Sequence, residues 1–318
     1  MRNILCVTLI ALLGGCTSTS VTEKYQDKRN DIINVKDKVI EFETGNVLIG
    51  SVSRLYMSNK CLLIADHKSV DKQIHIFNKN DFSYLTSIGN FGEGPEEITV
   101  MGCLAIDEAH HQLYVSDHAK QKIFSYDMDS VMVDSLYKPQ VKTAMNETLF
   151  PSEYQYINDT LSIAVLIKPT STSTFNQFLG RWNMNTGEMI PMKYTHPDIQ
   201  KKRITFAASE KAGIYVECYT RHDLMTICSL DGELLYNIYG PDWDGGNGNK
   251  LQSFGTVMIG NDKIFVSYCG EDYARDSFPT KILVFDLEGN YLKTLETGYK
   301  IDTPSQQEPH HRQHQDVP

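Results

Sequence analysis

The 318-residue chain has no excess of positive charge; acidic residues outnumber basic ones and the formal net charge is −10. A sequence-independent grip on nucleic acid needs clustered Lys and Arg to displace counterions from phosphates, so nucleic acid is excluded as a partner. No basic tract is present to bind an anionic membrane surface either. Apolar runs long enough to span a bilayer are missing, since the longest candidate, residues 4–13, is too short. Helical periodicity is almost absent, and no Cys-x-x-Cys pair suggests a zinc or redox site. Motifs of the GxSxG, HExxH and EF-hand types are also lacking, so an enzyme is unsupported and no cofactor or metal is expected.

What is present begins at the N-terminus. A short positive start, Met1-Arg2-Asn3, precedes the apolar run, which ends in Leu13-Gly14-Gly15-Cys16. Small residues followed directly by cysteine resemble the bacterial lipoprotein signal, in which the new N-terminal cysteine takes lipid. That resemblance makes residues 1–15 a signal peptide and Cys16 the lipidation site, with the membrane as a partner through the acyl chains. Thr17, in place of Asp, implies transfer to the outer membrane. Residues 16–36 are polar and small at first, as expected of a flexible tether. Of seven cysteines, Cys61, Cys103, Cys218, Cys228 and Cys269 remain after Cys6 and Cys16, an odd number that leaves at least one unpaired.

Residues 37–301 carry an internal repeat. Segments such as "KCLLIADHKSVDKQIHIFNKNDFSYLTSIG", "HQLYVSDHAKQKIFSYDMDSVMVDSLY" and "AGIYVECYTRHDLMTICSLDGELLYNIYG" each join an apolar run, a polar loop, an alternating run, a turn and a third run. Each follows another short strand-like run, and starting points recur about every 50 residues, a spacing typical of propeller blades. Four-stranded units that cannot bury their own faces stack radially into an all-β propeller. Five units are visible. Residues 38–44, "KVIEFET", are left over and are expected to form the outer strand of a sixth blade.

The stretch "GNFGEGPEEITVMGCLAIDEAHHQLYVSDHAKQKIFSYDMDS" resembles an NHL-type blade, with its GxGPxE opening, IxxD inner strand, LYVSD and IxxYD. The whole chain is similar to the TolB-like six-bladed propeller lipoproteins common in Bacteroidetes. The resemblance implies fold and leaves function open. Residues 89–97 within it, "GNFGEGPEE", could be taken for a phosphate loop. A strand follows instead of a helix, no Walker lysine is present, and Glu93, Glu96 and Glu97 repel phosphate, so a bend between blades is expected.

Blade topology places the crossings and the loops between second and third strands on one face, where binding residues are expected. Trp243, flanked by Asp242 and Asp244, is either a platform for a sugar ring or a lid on the core. Asp66-His67 and Asp117-His118 occupy equivalent places in the first two blades. Either the histidines converge on a metal or act as a base, or each Asp caps a turn beside a solvated His. Arg221 with His222, and the loop carrying Glu271, Asp272, Arg275 and Asp276, complete the candidate face; solvated charges are the plain alternative for the last. The sequence therefore favours a binding or scaffold module for a glycan, a peptide or an envelope protein, with a saccharide lyase or hydrolase as the alternative.

The tail "DTPSQQEPHHRQHQDVP", residues 302–318, has one aliphatic residue and cannot form a strand ladder. It is expected to be disordered, His310, His311 and His314 included. The last blade then stands incomplete: either the ring closes differently, or the reading frame departs near Ile301.

Overall fold

A computed structural model describes residues 22–301 except 135, 172–173, 200–202, 247–250 and 273–277. Cys16 and the tail 302–318 lie outside the described residues, as does Arg275. In chain order, two short strands come first, β1 (Glu23–Tyr25) and β2 (Ile32–Asn34). Blade I follows with β3 (Ser53–Met57), β4 (Cys61–Asp66), β5 (Lys72–Asn78) and β6 (Tyr84–Asn90). Blade II contains β7 (Met101–Asp107), β8 (Gln112–Asp117), β9 (Lys122–Asp127), the one-turn helix α1 (Met128–Val133) and β10 (Gln140–Ala144). Blade III contains β11 (Phe150–Asn158), β12 (Leu161–Pro169), β13 (Phe175–Trp182) and β14 (Met189–Pro191). Blade IV contains β15 (Ile204–Ser209), β16 (Ile214–Tyr219), β17 (Leu224–Ser229) and β18 (Leu234–Tyr239). Blade V contains β19 (Leu251–Gly260), β20 (Lys263–Asp272), β21 (Lys281–Asp286) and β22 (Tyr291–Glu296). Each blade is an antiparallel meander in chain order.

The central strands explain the stacking. Successive side chains of a strand point to opposite faces, and here both faces are apolar. In β8, Leu113 and Val115 pack towards blade I while Tyr114 packs towards blade III. In β16, Tyr215 and Tyr219 join the blade III interface, and Ile214, Val216 and Cys218 join that of blade V. Four core clusters thus link I–II, II–III, III–IV and IV–V; among the described residues no core cluster links V to I. All five cysteines beyond Cys16 are thiols outside any disulfide, buried in these sheets.

The remaining face of blade I shows where the expected sixth blade departs from the structure. Residues 38–44 form no strand. Phe42 instead stacks on Phe82 (4.6 Å between centroids) and meets Phe77 edge-on, and Ile49 joins the small cluster of Leu62, Ile64 and Phe77. Phe42 lies over blade I as a partial cover, without ladder hydrogen bonds, while Val39 and Ile40 stay exposed. Leu55 and Met57 on the same face stay 68% and 58% exposed, so the cover is partial.

Residues 89–97 are a bend, as expected, and the structure adds why. Gly89 has φ +74°, and a Cβ there would crowd Ile98 at 3.1 Å. The Nζ of Lys120 donates to the carbonyls of Gly94 (2.6 Å) and Glu97 (2.5 Å). The loop therefore turns acceptors inward and holds a cation of its own chain, the opposite of a phosphate cradle.

The tether expectation is corrected from Thr22 onward. β1 pairs parallel with β18, and β2 pairs parallel with β22, making fifth, outermost strands on blades IV and V. Between them Arg29 enters the interface of the two blades, its side chain 7% exposed. Its Nη1 lies 2.7 Å from Oδ1 of Asp223, which is fully buried. The guanidinium also sits over the rings of Tyr268, Phe254 and Phe285, at 5.4–5.8 Å. Gly240 makes room for the acid, since a Cβ there would fall 2.1 Å from a carboxylate oxygen. Two three-residue strands and one buried arginine are too short to read as structure from sequence.

Removing one partner of a buried ion pair leaves the other uncompensated. Arg29→Ala is expected to lower stability by roughly 3–5 kcal/mol in urea denaturation, because the Asp223 carboxylate then keeps, from this segment and the described crossing loop, the N–H of Asp242 at 3.2 Å.

Candidate functional site

The face carrying the crossings is built by the aspartates that end the second strands. Asp66 accepts from the backbone N–H of Gly50 (2.7 Å) and Lys68 (2.9 Å). Asp117 accepts from Thr99 (2.8 Å), Val100 (3.2 Å) and Ala119 (2.9 Å). Each acid ties the chain entering its blade to the loop after the second strand, which is the turn-capping role. The histidine that follows donates its own N–H inward, His67 to Val52 and His118 to Val100. Because the two blades are neighbours, this repeated placement carries both rings to the same spot, so they are not solvated loop residues.

They line a cavity of about 280 Å³ with Arg54, Met101, Gly102, Ser152 and Glu153. These five come from the innermost strands β3, β7 and β11, so the cavity opens over the channel side of blades I to III. Arg54 and Glu153 bridge it with a 3.0 Å ion pair from blade I to blade III, each about a quarter exposed. Gly102 is required here: a Cβ would stand 2.4 Å from His118 Nε2 and 2.3 Å from Ser116 Oγ. His67 Nδ1 faces the Met101 carbonyl at 3.1 Å. A carbonyl only accepts, so Nδ1 carries the proton and Nε2 holds a lone pair. The Nε2 atoms of both histidines are buried and meet no hydrogen-bond partner among the described residues. Burial lowers the pKa of both, and the nearby Arg54 adds to it at each. At neutral pH the cavity therefore offers neutral imidazoles beside one closed ion pair.

Trp243 belongs to a second group, on blade IV and its neighbours. Its ring stands 5.0 Å from Tyr239, 5.7 Å from His196 and 6.0 Å from His222, and it packs on the core between blades III and IV. That is the lid arrangement, with the ring boxed in by three others. Asp244 lies 3.7 Å from the ring of His222, and Asp242 accepts from the Tyr268 hydroxyl at 3.2 Å. Arg221 precedes His222 at the top of blade IV, half-buried. Asp272 ends β20 opposite Leu251, and Arg275 lies outside the described residues. His67 and His118 therefore lie together on blades I and II, apart from the Trp243 group of blade IV.

Among the described residues, one set of His, Cys, Asp and Glu side chains has metal-ligand spacing: Asp107, His110 and Asp159. It lies at the turns after β7 and β11, and its carboxylates already accept from Tyr114 (3.3 Å) and Tyr156 (2.7 Å). His67 and His118 are not part of it. Arg54, Ser152 and Glu153 escaped the sequence analysis because they sit inside strand-like runs, where charge reads as an outward-facing residue. An arginine within an innermost strand, "SRLYM", was the available signal.

Comparison with known proteins gives the family. Residues 17–177 match a family described as 6-bladed beta-propeller, DUF5128. No match was found among curated proteins. A protein of Bacteroides fragilis described as exported is similar in structure, with TM-score 0.52 and 14% identity over 87% of this chain and 80% of that one. A DUF4221 family member from Bacteroides vulgatus has TM-score 0.51 and 12% identity, covering 76% of this chain and 80% of its own. At these identities the likeness concerns the fold alone.

Two outcomes follow from the packing of these groups. His67, His75, His118 and His222 all have pKa values lowered by burial from the ordinary 6.5. The unfolded chain then binds more protons as pH falls through 6.5, so stability is expected to be full above that pH and to decline below it; urea midpoints of wild type and His118→Gln between pH 7.5 and 5 check this, the variant declining less. Trp243→Ala, which removes a half-buried lid, is expected to cost about 2 kcal/mol by the same measurement.

Proposed function

The chain belongs to the DUF5128 family of six-bladed β-propellers, and from that premise we propose that it is a non-catalytic, membrane-anchored binding module for a hydroxyl-rich ligand of the glycan class. On this reading it is a lipoprotein of the TolB-like, NHL-bladed kind, exported and held at the outer membrane through lipid on Cys16. The lipoprotein-like segment ending at Gly14-Gly15-Cys16 supports that location.

The observation that carries the binding role is the cavity between His67 and His118. His67 Nε2 and the outer lone pairs of Glu153 supply acceptors, His118 Nε2 is a second buried polar atom with no partner among the described residues, and Arg54 is the charged donor. A buried polar atom left unpaired costs about 1–3 kcal/mol relative to a paired one, so a ligand bringing several hydroxyl donors gains most there. The volume suits one sugar ring, since sites for larger molecules run from about 300 Å³ upward. Trp243, already boxed in by three rings, is not the platform.

One observation favours a saccharide lyase as the second reading. His67 is held in its base form, with the Nε2 lone pair directed away from its Met101 hydrogen bond, and a general base needs that state.

A thermal-shift screen of Cys16→Ala protein against oligosaccharides, peptides and divalent metals separates the readings. Glycan binding is expected to stabilise the fold by about 2.7 kcal/mol at a hundredfold excess over Kd. The shift should vanish in His67→Ala and His118→Ala and persist in Trp243→Ala. Stabilisation by peptides alone would make the ligand a protein, and appearance of an unsaturated sugar product would make the chain a lyase.

A further inference from the structure

The pairing of β1 and β2 bears on how the propeller sits on a membrane. Only six residue steps separate Cys16 from Thr22, whose carbonyl already accepts from Asn237 N–H at 2.7 Å. Beyond it the chain is fastened repeatedly. Lys24 Nζ donates to the carbonyl of Glu288 (2.8 Å) and lies 3.8 Å over the Tyr236 ring. Glu23 accepts from Asn237 Nδ2, and Tyr25 stacks on Tyr239 at 4.5 Å. Gln26 N–H closes the ladder on Tyr239, and Arg29 is buried against Asp223.

Direction matters as much as attachment. β1 runs parallel to β18, and β18 ends at the Gly240–Trp243 loop on the face that carries the histidine cavity. The N-terminal end of β1 therefore points towards the opposite face. We infer that the paired N-terminal segment is a rigid mount: it sets the outer edge of blade IV, at the face opposite the cavity, against the lipid surface that receives Cys16, and turns the cavity away from the bilayer. This rests on the lipidation of Cys16 proposed above. Six steps reach about 20 Å at full extension, whereas a tether loose to residue 37 would reach about 70 Å and leave orientation free.

The two geometries differ in distance to the membrane, which energy transfer reads. Acylated full-length protein in phosphatidylethanolamine–phosphatidylglycerol vesicles carries a donor dye at Glu288→Cys, beside the mount, or at Lys68→Cys, beside the cavity on blade I; the native thiols other than Cys16 are buried. With an acceptor on the lipid headgroups, transfer from position 288 is expected to exceed that from position 68 at least threefold. Twenty Gly and Ser residues inserted after Thr17 should bring the ratio close to one. Equal transfer from both positions in the uninserted, acylated protein overturns the mount while leaving the anchor intact. A mass spectrum showing Cys16 without lipid, together with failure to float with vesicles, overturns the anchor and the mount together.

Discussion

The structure depends on a constraint in the central strands of every blade: both of their faces are apolar. A sheet of that kind has no side that water can wet, so blades I to V exist only as neighbours. Val115 and Tyr114, adjacent in sequence, belong to two different interfaces. The same constraint accounts for residues 39–49, which have no ladder to join and instead lay Phe42 and Ile49 across the otherwise bare face of blade I. It also accounts for Arg29, whose guanidinium fills the IV–V interface with aromatic rings on one side and a carboxylate on the other.

Much of this was legible in the chain. Alternation, turn residues and the recurring spacing define the five meanders, and the glycine-rich bend at 89–97 behaves as its sequence implies. What escaped has a shared physical cause. β1, "EKY", and β2, "IIN", are held by backbone hydrogen bonds to edges far away in sequence, and backbone bonds leave no side-chain pattern. α1 escaped because so short a helix shows no periodicity; its start is set by Asp127, whose carboxylate accepts from Ser130 N–H at 2.7 Å. Residues 38–44 look like a strand because Val39, Ile40 and Phe42 stand among charged residues in a short alternating run, yet Phe42 alone of these three packs on blade I while Val39 and Ile40 face solvent.

The candidate site was half legible. His67 and His118 could be found by their recurrence after Asp66 and Asp117. That the recurrence serves two purposes at once, the acids closing each blade and the rings meeting between blades, is visible only with the inner strands in place. Arg54 and Glu153 come from blades separated by a third, so no local pattern joins them. Trp243 shows the converse: a Gly- and Asp-rich loop around an aromatic suggests an open platform, and the loop folds it onto His196, Tyr239 and His222.

The five buried thiols impose a requirement on the chain's history. Each lies inside a finished sheet, where burial holds Cys103 and Cys218 far from thiolate, the nucleophilic form. Before the sheets close, the same five sulfurs are ordinary reactive cysteines, and in an oxidising compartment any bond between them would lock a wrong geometry. On the export proposed above, maturation would be a race in which collapse of each blade must outpace oxidant, and sulfur trapped early would mark the molecules that lost it.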